Sequence, residues 1–425
     1  MSHYEIPSFK RLQEKETYTS IPQFYDYLEC IKDVFGFIVY DVETSLINKD
    51  KSIFNQEYTF VMGASQWVSP DGPENIKIFE TASDMKKEVT DWVCHVGHNL
   101  PFDMNALDMK ADLDTYIYWD TSVAQYLLTN QKMLYPSLQE SCEYYGIPLK
   151  KEDKVSEMIK SGVDPTDIPK DLLEEYLVND INMTRELFLA QIADLKTRPV
   201  AFQNLVMQHM VWRTHTYNAS RAGIRLDIPR IEASIKDTKK EIEELEYKII
   251  DEISRSFTSA VIADATVHIV PPWGFDFELS PDSPKQLSTY LYGGEITINI
   301  PTVVGTYKTG PKKGTPKTKI EKIIVRVPSK VNKKNLTTDN NSLQTIINAH
   351  NAFTYKSPEM IRVIELCENV LKYRTLNKNI STYFEGYSQH ADKDGKVHPQ
   401  FNHTATPTGR LTCNKPNTQN TKGDD

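Results

Sequence analysis

Three short segments carry acidic, amide and phenol groups at spacings that could do chemistry together. In YDVET, Asp41 and Glu43 follow an apolar run, and strand alternation points both side chains to one side. In HNLPFDMNAL, Asn99 and Asp103 flank three residues at a helix start. In YLVNDINMTRELF, Tyr176 and Asp180 are four apart, which places both on one helix face. Each segment alone has an ordinary reading: a strand end facing water, a helix-capping Asp, a core Tyr. Four carboxylates together are hard oxygen donors suited to Mg²⁺ or Mn²⁺. Two such ions ~3.5–4 Å apart stabilise the attacking and leaving oxygens at a phosphodiester, and a nearby Tyr hydroxyl can orient the water.

The elements that must position these groups are legible in outline. FGFIVYDV, from Phe35 to Val42, reads as a buried strand, and EYTFVMGASQWV and NIKIFE as further strands. Helical patterns follow around Ala82 to Val93, Phe102 to Lys110, Thr121 to Leu128, Ser137 to Tyr145 and Lys170 to Ala193. Strands first and helices after predict an α/β fold with a mixed sheet flanked by helices. A break is expected at TRPVAF, near Pro199. Beyond it Ile231, Ile235, Ile242, Leu245, Ile249 and Ile253 form the stripe of a long amphipathic helix. Residues 295–334 hold TYKTGPKKGTPKTKIEKIIVRV, with turn residues at the centre and a Lys excess, which reads as a basic hairpin.

A length of 425 residues predicts two or three domains. No apolar run approaches the ~20 residues of a membrane span, and the N-terminus lacks a signal-peptide core, so a cytoplasmic location is expected. Five scattered cysteines suit free thiols, and CHVGH lacks the second ligand pair of a zinc site. The net charge of −9 divides unevenly. Residues 1–200 hold 19 Lys+Arg against 34 Asp+Glu (−15), and residues 201–425 hold 30 against 24 (+6). An acidic first half suits metal binding and a basic second half suits a polyanion.

Asp41-x-Glu43, Asn99-x-x-x-Asp103 and Tyr176-x-x-x-Asp180 together resemble the three motifs of the DEDD superfamily of 3′→5′ exonucleases, Tyr subgroup. The resemblance covers about Phe35 to Leu195 and implies a ribonuclease-H-like domain. It implies that Asp41 bridges two Mg²⁺ ions, with Mn²⁺ as a substitute, while Glu43 and Asp180 complete the tighter site. Asp103 would hold the second ion, Tyr176 would position the water, and Thr44 and Asn99 would line the terminal-nucleotide pocket.

TATPTGRLTCNKPNTQN resembles the Thr-x-Thr-Gly-Arg-Leu-Ser-Ser-x-x-Pro-Asn-Leu-Gln-Asn motif of family A DNA polymerases, with Thr412, Cys413 and Thr418 as departures. GIRLD, SPKQLSTYLYGG, LTTDNNSLQTI and YRTLNKNISTYFEG resemble that family's thumb and the approach to its palm. The resemblance implies DNA contacts at Thr408, Arg410, Asn417, Gln419 and Asn420, and at the basic positions Arg374 and Lys378. It implies this order: an extension at 1–34, the exonuclease at 35–198, a mostly helical thumb at 199–385 and an incomplete palm edge at 386–425. Neither Asp-x-Ser-x-x-Glu nor the His-Asp-Glu triplet of the palm occurs in these residues, and no Arg-x-x-x-Lys segment is read as the fingers helix. The expectation is therefore the front part of a phage-type polymerase in a host cytoplasm. It would proofread single-stranded 3′ ends, bind primer–template duplex, and draw the rest of its palm from a second polypeptide or a missing portion. Thr404 to Asp425, with few apolar residues, is expected to be poorly ordered. A stand-alone DEDD exoribonuclease and a non-catalytic DNA-holding subunit would carry the same first-half motifs.

Overall fold

A computed structural model describes residues 36–69, 71–148, 154–264, 277–332 and 336–420, so the expected extension at 1–34 lies outside the described residues. The first strands are β1 (Phe37–Thr44), β2 (Phe60–Ser69), β3 (Gly72–Pro73), β4 (Lys77–Phe79), β5 (Cys94–Gly97) and β6 (Ile117–Asp120). They form one sheet in the order β3-β2-β1-β5-β6, with β4 also on β2. β1 runs antiparallel to β2 but parallel to β5, which is parallel to β6. This is the expected mixed sheet.

Strand β1 is apolar on both faces because helices cover both. Phe37 and Val39 enter one core cluster, while Ile38, Tyr40 and Val42 enter another. The helices are α1 (Ala82–Thr90), α2 (Pro101–Ala106), α3 (Thr121–Leu128), α4 (Leu138–Tyr144), α5 (Lys154–Lys160), α6 (Lys170–Thr197) and α7 (Val200–Ala222). Their starts are locally encoded: Thr81 and Asp120 cap α1 and α3, and Ser137 with Glu140 forms a capping box on α4. The domain boundary expected near Pro199 coincides only with the junction of α6 and α7.

The chain forms two compact units, Met1–Leu226 with Tyr387–Asp425, and Asp227–Gly386. Thus α7 packs with the sheet unit, and so does the C-terminal segment. The second unit contains α8 (Ile228–Ala263), α9 (Pro284–Tyr292), α10 (Asn340–Asn351) and α11 (Pro358–Lys378), then a π-helical turn at Asn379–Phe384. Ile242, Leu245, Ile249 and Ile253 of the α8 stripe are buried. In the first unit β7 is Ile224–Arg225, and in the second β8 (Gly294–Thr306) and β9 (Pro316–Val327) form the lysine-rich hairpin.

From Thr404 to Asn420 the C-terminal segment does not match the expectation of poor order, and the remainder of that expectation, residues 421–425, lies outside the described residues. β10 (Lys396–Val397) pairs with β7, and β11 (Gln400–Asn402) pairs with β12 (Thr412–Asn414). The Tyr126 hydroxyl donates to the Thr406 carbonyl at 2.7 Å, and the Tyr135 amide donates to the Thr404 carbonyl at 3.2 Å. Few apolar residues suffice because backbone pairing and borrowed donors from the first unit replace a core of the segment's own. Between α7 and β7, Gly223 is required: its φ is +71°, and an added Cβ would lie 2.7 Å from the His398 ring.

Candidate active site

Period-two alternation continues past the apolar part of β1. Asp41 and Glu43 follow Phe37 and Val39, so they share the face that packs against the cluster containing Leu173, Leu177 and Ile181 of α6. Helix α6 carries Tyr176 and Asp180, one turn apart, beside those core residues. Both carboxylates on β1 are half-buried, and a register shift against β2 falls between Glu43 and Thr44. Asp103 comes from α2 and is 2% exposed, with its Oδ1 accepting the Val42 amide at 3.1 Å. One strand thus receives an acidic helix from each of two sequence-distant segments.

The electrostatics show how close these groups come. Burial, then the charges of Asp41 and Glu43, hold the Asp103 carboxyl well above the usual range, against the opposing Val42 hydrogen bond. Burial first, then Asp180, Glu43 and Asp41, push the Tyr176 phenol up, so it stays protonated at neutral pH. Burial also pushes the Cys142 thiol up to about 12, with Asp180 adding to it. Asp41 and Glu43 thus act on Asp103 from one side and on Tyr176 from the other, with Asp180 next to Tyr176. Among the described residues, however, no three His, Cys, Asp or Glu side chains are gathered into a preassembled metal-holding group. The donor set is still of the right kind for a hard dication: all carboxylate, with a buried member whose charged form a cation would favour.

Asn99 and Thr44 differ in placement. Thr44 is buried and donates its hydroxyl to the Ser45 carbonyl at 3.0 Å. Asn99 has φ +63°, a conformation Asn tolerates better than most residues. Its amide donates to Asp120 Oδ1 at 3.0 Å, and its Oδ1 accepts from Arg213 at 2.7 Å. Arg213, on α7, was not singled out in the sequence. It also bonds Asp120 Oδ2 at 3.0 Å and the Phe401 carbonyl at 3.2 Å, linking the Asn99 loop, the α3 cap and strand β11. Burial opposes ionisation of Asp120, but Arg213 and Ser122 outweigh it and hold the carboxyl below its ordinary value. Cavities of about 310 and 270 Å³ have Asn99, Arg213 and Asn402 in their linings. The sequence signal for Arg213 is slight: one cation on a helix whose partner lies 93 positions away.

The remaining residues of interest separate by exposure. Thr408, Arg410, Asn417, Gln419 and Asn420 are exposed, whereas Cys413 and Pro416 of the same segment are buried. Backbone fastening shapes the loop: the Arg410 amide donates to Thr406 Oγ1 at 3.0 Å, and the Gln419 amide donates to Asn417 Oδ1 at 3.1 Å. In the second unit Lys378 is exposed. Arg374 pairs with Asp282 at 2.6 Å and donates to the Thr338 carbonyl at 2.7 Å.

A model of DNA polymerase family A matches residues 247–423. DNA polymerase I of Borreliella burgdorferi is 26% identical over 328 residues, 76% of this chain and 28% of that protein. DNA polymerase I of Helicobacter pylori is 28% identical over 198 residues, 47% of this chain and 14% of that protein. A shorter stretch of 57 residues is 47% identical to DNA polymerase I of Geobacillus stearothermophilus, 13% of this chain and 6% of that protein. The chain therefore spans well under a third of the length of these curated relatives. Among solved structures, the POL domain of Pol1 from M. smegmatis in complex with DNA primer-template and dNTP matches 93% of this chain and 54% of that chain. Its TM-score is 0.56 at 15% identity, a likeness of fold. Residues 247–423, from within α8 through β12, thus match the family A DNA polymerase model and are similar to bacterial DNA polymerase I.

Proposed function

We propose that the first unit is a ribonuclease-H-like 3′→5′ exonuclease that acts on DNA, and that the family A region holds the primer–template duplex. One observation carries the exonuclease reading. Asp103 accepts the Val42 amide of β1 and feels Asp41 and Glu43, and Tyr176 from a third segment feels the same two carboxylates and Asp180. A fold has little other reason to bury Asp103 beside two like charges.

Asp41, Glu43, Asp103 and Asp180 would hold two divalent cations, Mg²⁺ or Mn²⁺. When bound, these supply charge stabilisation at the phosphodiester and a water nucleophile at neutral pH. The Val42 amide fixes the Asp103 carboxyl, so part of the site is oriented by the sheet itself. Tyr176 keeps its proton and can hold a water by its hydroxyl without adding a negative charge. Asn99, clamped by Arg213 and Asp120, presents a fixed polar rim to a terminal nucleotide. Exposed Arg410, Asn417, Gln419 and Asn420 would contact duplex backbone and groove edges, mainly positioning it. The M. smegmatis neighbour, a complex with DNA primer-template, supports a DNA partner.

A stand-alone exoribonuclease is disfavoured by the family A region at 247–423. The test compares hydrolysis of 3′-labelled single-stranded DNA and RNA in Mg²⁺ and in EDTA. Shortening of DNA in Mg²⁺ that stops in EDTA supports the reading. Preference for RNA, or no hydrolysis of either, overturns it.

A further inference from the structure

Within the second unit, the end of α8, the end of β9 and the start of α11 line a cavity of about 580 Å³. Its floor is set by residue size. Ser256, Ser259, Ala260 and Ala263 recur three or four apart, so the cavity face of α8 carries small side chains over its last two turns. Phe257 and Val261 of the same turns point into the core instead, at 2% and 0% exposure.

The walls are cationic. Arg255 comes from α8, Arg326 from β9, Lys330 from the segment after it and Arg362 from α11. The carboxylates that share the lining neutralise these groups poorly. Glu252 lies 3.8 Å from Arg362 and Glu359 lies 3.5 Å from Lys330, long against the ~2.7–2.9 Å of a charge-assisted bond. Glu252 is already engaged, accepting the Tyr290 hydroxyl at 2.7 Å. The Lys330 side chain is only 12% exposed, so its ammonium has left most of its water for that long pair and the Tyr290 ring, 4.8 Å away. Arg326 forms no ion pair with a described residue. Arg255 is closely paired, but with Asp251, at 2.7 Å.

A guanidinium donates a planar fork of hydrogen bonds that matches phosphate or carboxylate, and an ammonium adds a point charge. We propose that this cavity binds a small multivalent oxyanion, held by Arg326, Lys330 and Arg362. Its volume suits a small molecule. A duplex backbone is a continuous line of charge, one per ~1.7 Å of axis, and would pass Glu252 and Glu359 as closely as the cations. A compact anion can meet the cations alone. The site lies in a different compact unit from the acidic end of β1, so it does not rest on the exonuclease reading.

The experiment titrates the full chain in EDTA and about 150 mM KCl with sodium tripolyphosphate, with citrate and with duplex DNA, by calorimetry. Saturable one-to-one binding of tripolyphosphate or citrate is expected, and the tighter of the two identifies phosphate or carboxylate as the charged group. R326Q removes an exposed, unpaired side chain and should weaken that binding about tenfold or more, the worth of a charged hydrogen bond. R326K keeps the charge without the fork and should recover part of the loss. Ser256→Phe fills the floor without changing the charge and should abolish binding. Neutralising the exposed lysine arm of the β8–β9 hairpin (K308Q/K312Q/K313Q/K317Q/K319Q) removes more charge, yet should leave the anion affinity at the parent value. Absence of saturable binding, or an R326Q chain that binds like the parent, overturns the proposal. An affinity that falls with the arm's charge overturns it in favour of general surface attraction. Displacement of the anion by duplex, with the same R326Q loss on both, overturns it in favour of a DNA contact.

Discussion

The acidic end of β1 and the lysine arm of the second unit meet the demands of a charged partner in opposite ways. Asp103 is 2% exposed, fixed by a backbone amide and crowded by Asp41 and Glu43. The arm keeps five lysines fully in water, with no carboxylate in residues 304–319. Buried like charges raise one another's energy, so such a site is tolerable only with rigid support and is sensitive to each member. Exposed charges are individually worth little, act additively and are screened by salt. The comparison teaches where single substitutions should matter and where only sums of them should.

The largest effect should come from removing the centre of the acidic site. Asp41→Ala with Glu43→Ala is expected to reduce Mg²⁺-dependent shortening of a 3′-labelled strand to background while circular dichroism stays that of the parent. Wild-type shortening by the double variant would break the site assignment outright.

Arg213 extends the comparison to support rather than chemistry. Arg213→Ala leaves the Asp120 carboxylate, 1% exposed, without its guanidinium. Breaking a buried pair in this way costs about 3–5 kcal/mol. Urea unfolding should register that loss, and an equally stable variant would show that the clamp on Asn99 is dispensable.

A smaller change is expected at Tyr176. Tyr176→Phe removes one hydroxyl beside the carboxylates and should slow hydrolysis about 10–100-fold, the worth of a hydrogen bond to a charged centre. Single-turnover rates on a short single strand would measure this, and a loss as complete as that of Asp41→Ala/Glu43→Ala would assign Tyr176 a larger role.

The smallest effect concerns pH. Burial first, then Arg213 and His209, push His403 down to about 3, while the neighbouring Asp120 opposes the shift weakly. Thr216 Oγ1 lies 2.9 Å from its Nε2. The unfolded ring takes a proton near pH 6.5 and the folded ring does not, so this contribution is present above about pH 6.5 and lost as pH falls towards 3. His403→Gln should flatten the melting temperature between pH 6.5 and 4, and an unchanged slope would place that sensitivity elsewhere, for example at His95, also pushed down to about 4.

Much of the candidate site was legible because it rests on local rules. Strand alternation put Asp41 and Glu43 on one side, and helical spacing put Tyr176 over Asp180. The apolar runs announced β1 and β2, and the helical patterns at Ala82 to Val93, Thr121 to Leu128 and Ser137 to Tyr145 fall on α1, α3 and α4. Strands β5 and β6 were not foreseen, because CHVG and IYWD are four residues each and show no period before a sheet pairs them. Nor could sequence show that Arg213 would reach Asp120 and Phe401, that Arg374 would turn to Asp282, or that residues 387–425 would pack with the first unit. The types and spacings of the reactive groups were set by the sequence alone, since they depend on neighbours within one turn or one strand. Which distant partner each group meets was decided only by the tertiary structure, because a hydrogen bond or ion pair across many residues depends on how whole elements pack.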